Sequence, residues 1–357
     1  MVQSKNKKIH LELLRILAIF FVIFNHTSPE GYLGFASESN AVLYGTNMFL
    51  SVLCKVGVPI FFMISGALLL GKQESLRVLY KKRVLRIAVV LLLISVPNYI
   101  LLSGDSPRSM FGFFRTIYTD TARTALWYLY AYICFLIMLP FIRAMAAQLK
   151  RKDYRYLLAV HIVLSVFLLV TDKFVFTKGH NPYISVAIAL ESSLFYPLMG
   201  YYIEHIAEKS SFNKKNYLLA GALSVAAIAA TCVTSQIYYT VCAGSLDNAA
   251  YQTFFEMLIC IPALSLFFIL KGTVRIKHEG FLSRLIMQLG GAVFGLYLIE
   301  NFCRLLLSPV ILKYVKPLTG DFAAAVLVVI TTMITGFAVI CLLKNLPLVK
   351  KLVNKFI

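Results

Sequence analysis

The chain has 357 residues, 59% of them hydrophobic and 14% charged, with a mean hydropathy of +0.78. No water-soluble globular domain of this length shows that balance, so the sequence is that of an integral membrane protein. The formal charge of +19 falls in short clusters between apolar blocks rather than along one soluble face, which excludes nucleic acid as the expected partner and favours membrane lipid. Cys54, Cys134, Cys232, Cys242, Cys260, Cys303 and Cys341 mostly lie inside apolar blocks, without C-x-x-C or Cys/His spacing, and no metal is expected.

The first apolar stretch, about 9–28, follows a basic N-terminus in the manner of a signal peptide. No small-residue cleavage site follows His26, and Arg15 interrupts the run, so a retained helix is expected. Eleven steps of about 100° bring Arg15 and His26 within about 20° of the same helix face, and about 1.5 Å per residue sets them about 16 Å apart along the axis. Ionisable groups in a spanning helix cost about 2.5 kcal/mol or more, so this face is a functional candidate that crosses much of the bilayer.

Further apolar stretches of about 20 residues follow at 42–71, 83–102, 125–146, 154–172, 184–206, 216–238, 252–271, 284–307 and 321–343. They predict an all-α, polytopic bundle of about ten transmembrane helices in a single domain, 1–357. If the helices alternate, the clusters at Lys5, Lys7 and Lys8, at Lys81 to Arg86, at Lys150 to Arg155, at Lys209 to Lys215, at Arg275 and Lys277, and at Lys350 to Lys355 share one side. Both termini are then cytoplasmic. The opposite connections carry a sparser mixture, including Glu30, Glu38, Asp105, Asp120, Asp247 and Asp321, with turn residues at 106–107 and 181–182. The longest of them, 103–124, is placed to cover an outward-facing cleft.

Within the second stretch, Gly57, Pro59 and Gly66 predict a kinked helix that packs closely on a neighbour, and Lys55 ahead of the proline points to a polar cavity. The run Gly66 to Gln73 mimics a phosphate-binding loop, but Gln73 replaces the required hydroxyl and the interior is leucine-rich. At the start of the third stretch, Lys82, Arg83 and Arg86 read either as a positive-inside anchor or as a phosphate clamp, since a guanidinium makes bidentate bonds to phosphate oxygens. Glu191, Glu256 and Glu300 come from three separate helices, yet all fall at the outer depth of His26. Glu300, followed by Asn301, is the preferred partner for an imidazole acting as a general base. Trp127 and Tyr128 read as an interfacial aromatic belt or as rings at the mouth of a sugar-binding cleft.

At these residues the chain resembles the acyltransferase 3 family of membrane acyltransferases, which modify sugars and other cell-envelope hydroxyls. The resemblance rests on Glu12-Leu13-Leu14-Arg15 with ten residues before His26, on Val58 to Gly66 including Ser65, on Lys82-Arg83 and Arg86, on Leu126-Trp127-Tyr128-Leu129 followed by Pro140, on Gly200-Tyr201-Tyr202, and on Phe294 to Ile299 including Tyr297. It covers nearly the whole chain. Three positions depart from the family pattern: Glu12 stands where aspartate is common, and Ala125 and Glu300 stand where histidine is frequent.

The resemblance implies an O-acyltransferase, with acetyl as the expected group, that takes it from cytoplasmic acyl-CoA and delivers it to a cell-envelope or lipid-linked saccharide at the bacterial plasma membrane. No bound cofactor is expected. It implies that His26 is essential, as base or as transient acyl carrier, with Arg15 closely involved, Glu300 orienting His26, and Lys82, Arg83 and Arg86 holding the donor. Glu12, Lys55, Ser65, Trp127, Tyr128, Tyr297 and Asn301 are the expected supporting residues. A transporter or flippase for an envelope intermediate is the competing reading, because transport also requires charges at several membrane depths.

Overall fold

The computed structural model describes residues 8–27, 31–102, 109–175, 191–242, 248–274 and 280–346. Among them the chain is mostly helical, without a strand, as the apolar pattern requires of a backbone that must satisfy its own polar groups in lipid. Lys5, Lys7, Glu30, Asp105, Asp247, Arg275, Lys277, the cluster 350–355 and the turns at 106–107 and 181–182 lie outside the described residues.

Helix α1 (Ile9–Asn25) enters first, followed by α2 (Ala41–Cys54) and α3 (Gly57–Leu69). Next come α4 (Leu76–Leu101), α5 (Met110–Thr119), α6 (Trp127–Gln148) and α7 (Arg151–Val175). Then follow α8 (Ser192–Tyr201), α9 (Lys214–Cys242), α10 (Cys260–Thr273), α11 (Phe281–Gly290), α12 (Val293–Tyr314) and α13 (Asp321–Asn345). The outer connection expected at 103–124 therefore contains a helix, α5, whose apolar side chains Met110, Phe111, Phe114 and Tyr118 are exposed.

Among the described residues 7 helical runs are long and apolar enough to cross a membrane, and the expected count of about ten is not confirmed. The shortfall has a physical source. The first, sixth and eighth apolar stretches form α1, α8 and α10, of 17, 10 and 14 residues, and at about 1.5 Å per residue the last two fall short of a hydrocarbon layer of about 30 Å. Residues 184–190 of the sixth stretch lie outside the described residues, and a 3-10 segment, Asn248–Phe254, replaces the predicted helical start of the eighth.

Two other stretches are interrupted. The kink expected at Pro59 is a break between α2 and α3, which places Pro59 in the first turn of the new helix, where no backbone N–H is needed. Asn25 Nδ2 donates to the Cys54 carbonyl at that break, 3.0 Å away. The ninth stretch divides at Gly291 and Ala292 into α11 and α12. A Cβ at Gly290 would lie 2.4 Å from Glu12 Oε2, so the glycine there admits a carboxylate from α1.

The core crossing lies between α3 and α8. A Cβ on Gly66 would stand 1.9 Å from the Pro197 carbonyl oxygen, and one on Gly200 would stand 2.1 Å from that of Met63. The two backbones touch where side chains are absent, the close approach that small residues permit between membrane helices.

Contacts at the inner end agree with the alternation of spans. Lys8 Nζ lies 2.6 Å and His10 Nε2 3.0 Å from Glu204 at the end of the α8 run, and Lys271 at the end of α10 donates to the carbonyl of Glu204 at 2.8 Å. The start of α1 and the ends of α8 and α10 thus share one face of the bundle.

Candidate active site

His26 is the residue at which α1 stops. Its φ of −88° and ψ of 0° leave the helix, while its N–H still bonds the Ile23 carbonyl and the Thr27 N–H that of Phe24, so the side chain is set by a helix end packed in the core. Its Nδ1 lies 3.0 Å from Oε1 of Glu300, on the second turn of α12. Glu300 is 1% exposed. Two further cations reach the same carboxylate, Arg123 Nη1 at 3.2 Å and Arg304 Nε at 3.8 Å. Arg304 also donates to Asn301 Oδ1 at 3.3 Å, and Asn301 Nδ2 lies 3.4 Å from Asn98 Oδ1 on α4.

The chemical consequence concerns the tautomer. A buried carboxylate accepts a proton-bearing nitrogen, so Nδ1–H donates to Glu300 and the lone pair of the neutral ring resides on Nε2. That is how a general base is prepared: one nitrogen is anchored and the other is free to take a proton. The ring borders a cleft of about 420 Å³ also lined by Asn25, Tyr32, Lys55, Trp127 and Glu256. Lys55 Nζ lies 3.7 Å from Glu256 and 5.0 Å from the centre of the Tyr32 ring. Glu191, expected at the depth of His26, caps the start of α8 by accepting from the Ser193 N–H and hydroxyl.

Between this cleft and the inner face runs a column of aromatic and polar side chains. Tyr297 donates to the Ala125 carbonyl at 2.6 Å, and its ring lies 5.9 Å from that of Tyr128. Tyr128 stacks on Tyr132, with ring centres 5.8 Å apart. Ser65 donates to the Phe61 carbonyl at 2.9 Å. Arg15 pairs with Glu12 at 2.6 Å, and Glu12 Oε2 is buried without a hydrogen-bond partner. Tyr128 is half-buried and packs on the rings of Phe61, Phe62 and Tyr297, whereas its neighbour Trp127 stays 45% exposed on the cleft.

At the inner end Arg83 holds Glu74 with two bonds, one from Nε at 3.0 Å and one from Nη2, and Arg143 Nη2 reaches the same carboxylate at 3.0 Å. Arg143 also donates to the Leu69 carbonyl closing α3, at 2.9 Å. The Arg83 bonds, then those of Arg143, hold the Glu74 carboxyl at about 2, well below its ordinary value. Beside this clamp lies a cavity of about 730 Å³, lined by Lys72, Glu74, Arg143 and Tyr201. Lys82 is exposed, and Arg86 is half-buried close to Tyr132. The basic cluster and His26 are therefore not brought together; the aromatic column separates them.

A family model described as an acyltransferase domain, of the acyltransferase 3 type, matches residues 9–344. The chain belongs to the acyltransferase 3 family. No curated protein and no solved structure gives a match. The matched span contains the whole site, from Glu12 to Arg304, and the chain is a multi-pass membrane acyltransferase.

Several residues at the centre of this acyltransferase escape sequence reasoning. Arg123 sits in the irregular segment before α6, where no periodicity assigns a direction to a side chain. Arg304 carried a usable signal, since it follows Glu300 at i,i+4 on one helix. Asn98, Glu74 and Arg143 are isolated polar residues in or beside apolar runs, and their partners come from distant segments. His161, given no role, stacks on Phe195 with ring centres 3.7 Å apart, and His205 bonds the Ala67 carbonyl at 2.8 Å. His180 and His278 lie outside the described residues.

Proposed function

We propose that this acyltransferase moves an acetyl group from cytoplasmic acyl-CoA to a hydroxyl of a cell-envelope or lipid-linked saccharide, at the bacterial plasma membrane. One observation carries the reading: a histidine at the edge of a cleft, with Nδ1 on a buried carboxylate 3.0 Å away and Nε2 left as the base. Metal-free acyl transfer to an alcohol asks for that arrangement.

In the proposed reaction Nε2 of His26 takes the proton of the acceptor hydroxyl as its oxygen attacks the thioester carbonyl. Collapse of the tetrahedral intermediate breaks the carbon–sulfur bond, and the departing thiolate receives that proton from the imidazolium, giving ester and free thiol. Glu300 holds the ring and balances its transient charge, and Arg123 and Arg304 pair with the same carboxylate. The basic inner end, Lys82 and Arg86 with Lys72 on the adjacent cavity, supplies the cations for the phosphates of the donor, and the Tyr128 column leads from there toward His26. Glu74 occupies Arg83, so that residue shapes the donor site rather than binding phosphate first.

The test is purified protein incubated with radiolabelled acetyl-CoA and extracted membrane saccharide. Label is expected on the saccharide, with a loss of about a thousandfold or more in His26→Ala at an unchanged melting temperature. Uptake of a solute into vesicles, with no label transferred, would replace this reading with a transporter.

A further inference from the structure

Two helices of 10 residues, α5 and α11, expose large apolar side chains along one face. At about 1.5 Å per residue each measures about 15 Å, half of a hydrocarbon layer of about 30 Å, so neither crosses the membrane. On α5, steps of about 100° place Met110, Phe114, Tyr118 and Phe111 within one arc of about 100°, and all four are exposed. A second arc faces the protein. Phe113 meets the Tyr99 ring edge-on at 5.5 Å, a Cβ on Gly112 would lie 2.7 Å from the Tyr99 hydroxyl, and Tyr130 donates to the Ile117 carbonyl at 3.1 Å. A third, polar arc holds Arg115 and Thr119, both exposed. Helix α11 repeats this division: Phe281, Leu285 and Leu282 are exposed within an arc of about 100°, Ser283, Ile286 and Gly290 are buried on a second, and Arg284 and Gln288 are exposed on a third. A helix between protein and water, or between protein and lipid, needs two faces. Three are needed where protein, acyl chains and water meet.

The places of the two helices in the fold agree with that count. Helix α5 joins the outer end of α4, where Ile100 and Leu101 are also exposed, to the outer start of α6. Among the described residues none of α5 lines the cleft beside His26, so its apolar arc is not kept for a ligand there. Helix α11 follows the inner end of α10 and leads into α12, and Lys344 near the end of α13 donates to the Gly291 carbonyl at 3.0 Å. One such helix therefore stands at each membrane surface, and phospholipid is the partner present at both. We infer that α5 and α11 are lipid-docking helices that lie along the outer and inner membrane–water boundaries with their apolar arcs in the acyl chains beneath the headgroups. Arg115, about 40° beyond Phe111, stands on the border between the apolar and polar arcs, at the depth of the lipid phosphates. Each helix also borders the site: Arg123, on Glu300, follows the Asp120 that closes α5, and Gly290 at the end of α11 receives Glu12.

Trp127 is the single tryptophan of the chain, so a second one placed on either helix is read by difference. Phe114→Trp and Phe281→Trp set the probe in the apolar arcs, and Thr119→Trp sets it in the polar arc of α5. Each full-length variant is reconstituted in phosphatidylcholine nanodiscs, which leave both faces open to solution, with bromine on the acyl chains either near the headgroup or near the chain end. For apolar faces buried about 5–10 Å deep, the emission added by Phe114→Trp and by Phe281→Trp should be quenched at least about twofold more by the shallow bromines than by the deep ones. Aqueous iodide should reach these two weakly and Thr119→Trp strongly. Tyr118→Trp and Leu282→Trp keep the test decisive if the first variants do not fold. Iodide quenching equal to that of Thr119→Trp would put the apolar arcs in water, stronger quenching by the deep bromines would put the helices across the bilayer, and protection from both quenchers would mean that protein, such as a second copy of the chain, covers them. Any of the three overturns the lipid seat of that helix. None involves turnover, so the result stands apart from the acyl-transfer reading.

Discussion

Glu74 at the inner end and Glu300 at the outer end are built alike, each a carboxylate gripped by cations from separate segments, and they differ in one partner. Glu74 is held by Arg83 and Arg143, which stay charged at every accessible pH. Glu300 is held by Arg123 and Arg304 and also by His26, the one side chain of the three whose second ring nitrogen can serve as a base. The inner cluster is consequently a fixed strut that ties the end of α3 to α4 and α6. The outer cluster is a strut with a movable proton. Chemistry is expected only where the grip includes a titratable member.

Exchanging each carboxylate for its amide breaks or sharpens that comparison. Glu300→Gln keeps the size of the side chain but no longer demands the Nδ1–H tautomer or balances an imidazolium. Turnover is expected to fall about a hundredfold or more with little change in donor KM. Glu74→Gln should leave turnover within about threefold. Steady-state kinetics on both variants decide the point: a Glu74→Gln enzyme as slow as Glu300→Gln would mean that the two clusters are not functionally distinct.

The next largest effect separates the two inner arginines. Arg83 spends its planar fork on Glu74, whereas Arg86, one helical turn along, is the guanidinium assigned above to the donor phosphates. Arg86→Gln is therefore expected to raise donor KM about tenfold, as the loss of one charge-assisted phosphate bond does, with the melting temperature held. Arg83→Gln should do the opposite, lowering the melting temperature and changing KM less. Calorimetric titration with acyl-CoA and thermal unfolding of both variants provide the measurement; reversed assignments would make Arg83 the phosphate ligand.

Depth counting along the helices was enough to pair His26 with Glu300, because both lie in helices whose direction the basic clusters determine. The same counting set Glu191 at the depth of His26, beside Ser192 on the same cleft, but could not show that its carboxylate caps its own helix. The break at Gly291 to Ala292 was invisible to hydropathy, since apolar residues surround it, whereas the one at Lys55 to Val56 falls just ahead of Pro59, where a kink was expected. π turns at Tyr80–Val84, Thr171–Val175 and Tyr202–Ile206 each add a residue to a turn and rotate whatever follows, so a 3.6-residue period cannot carry a face through them. Arg83 was recognisable as a phosphate-type guanidinium but not as one already engaged, because Glu74 precedes it by a loop of unpredictable direction.

The smallest effect is a pH dependence of the inner strut. In the unfolded chain Glu74 binds its proton near the ordinary value of 4.5; in the folded protein the Arg83 bonds, with Arg143, delay this until about 2. The folded state binds fewer protons in that interval, so the contribution of Glu74 to stability is whole above about pH 4.5 and is lost as the pH falls toward 2. Other carboxylates act alike in wild type and in Glu74→Gln, and the difference between the two isolates this one. The wild type should melt a few degrees above the variant at pH 6 to 7, and the gap should close progressively below pH 4.5. A gap that stays constant down to pH 3 would show that Glu74 acts through shape rather than charge, and the inner cluster would then be a packing feature in which the arginines need no carboxylate.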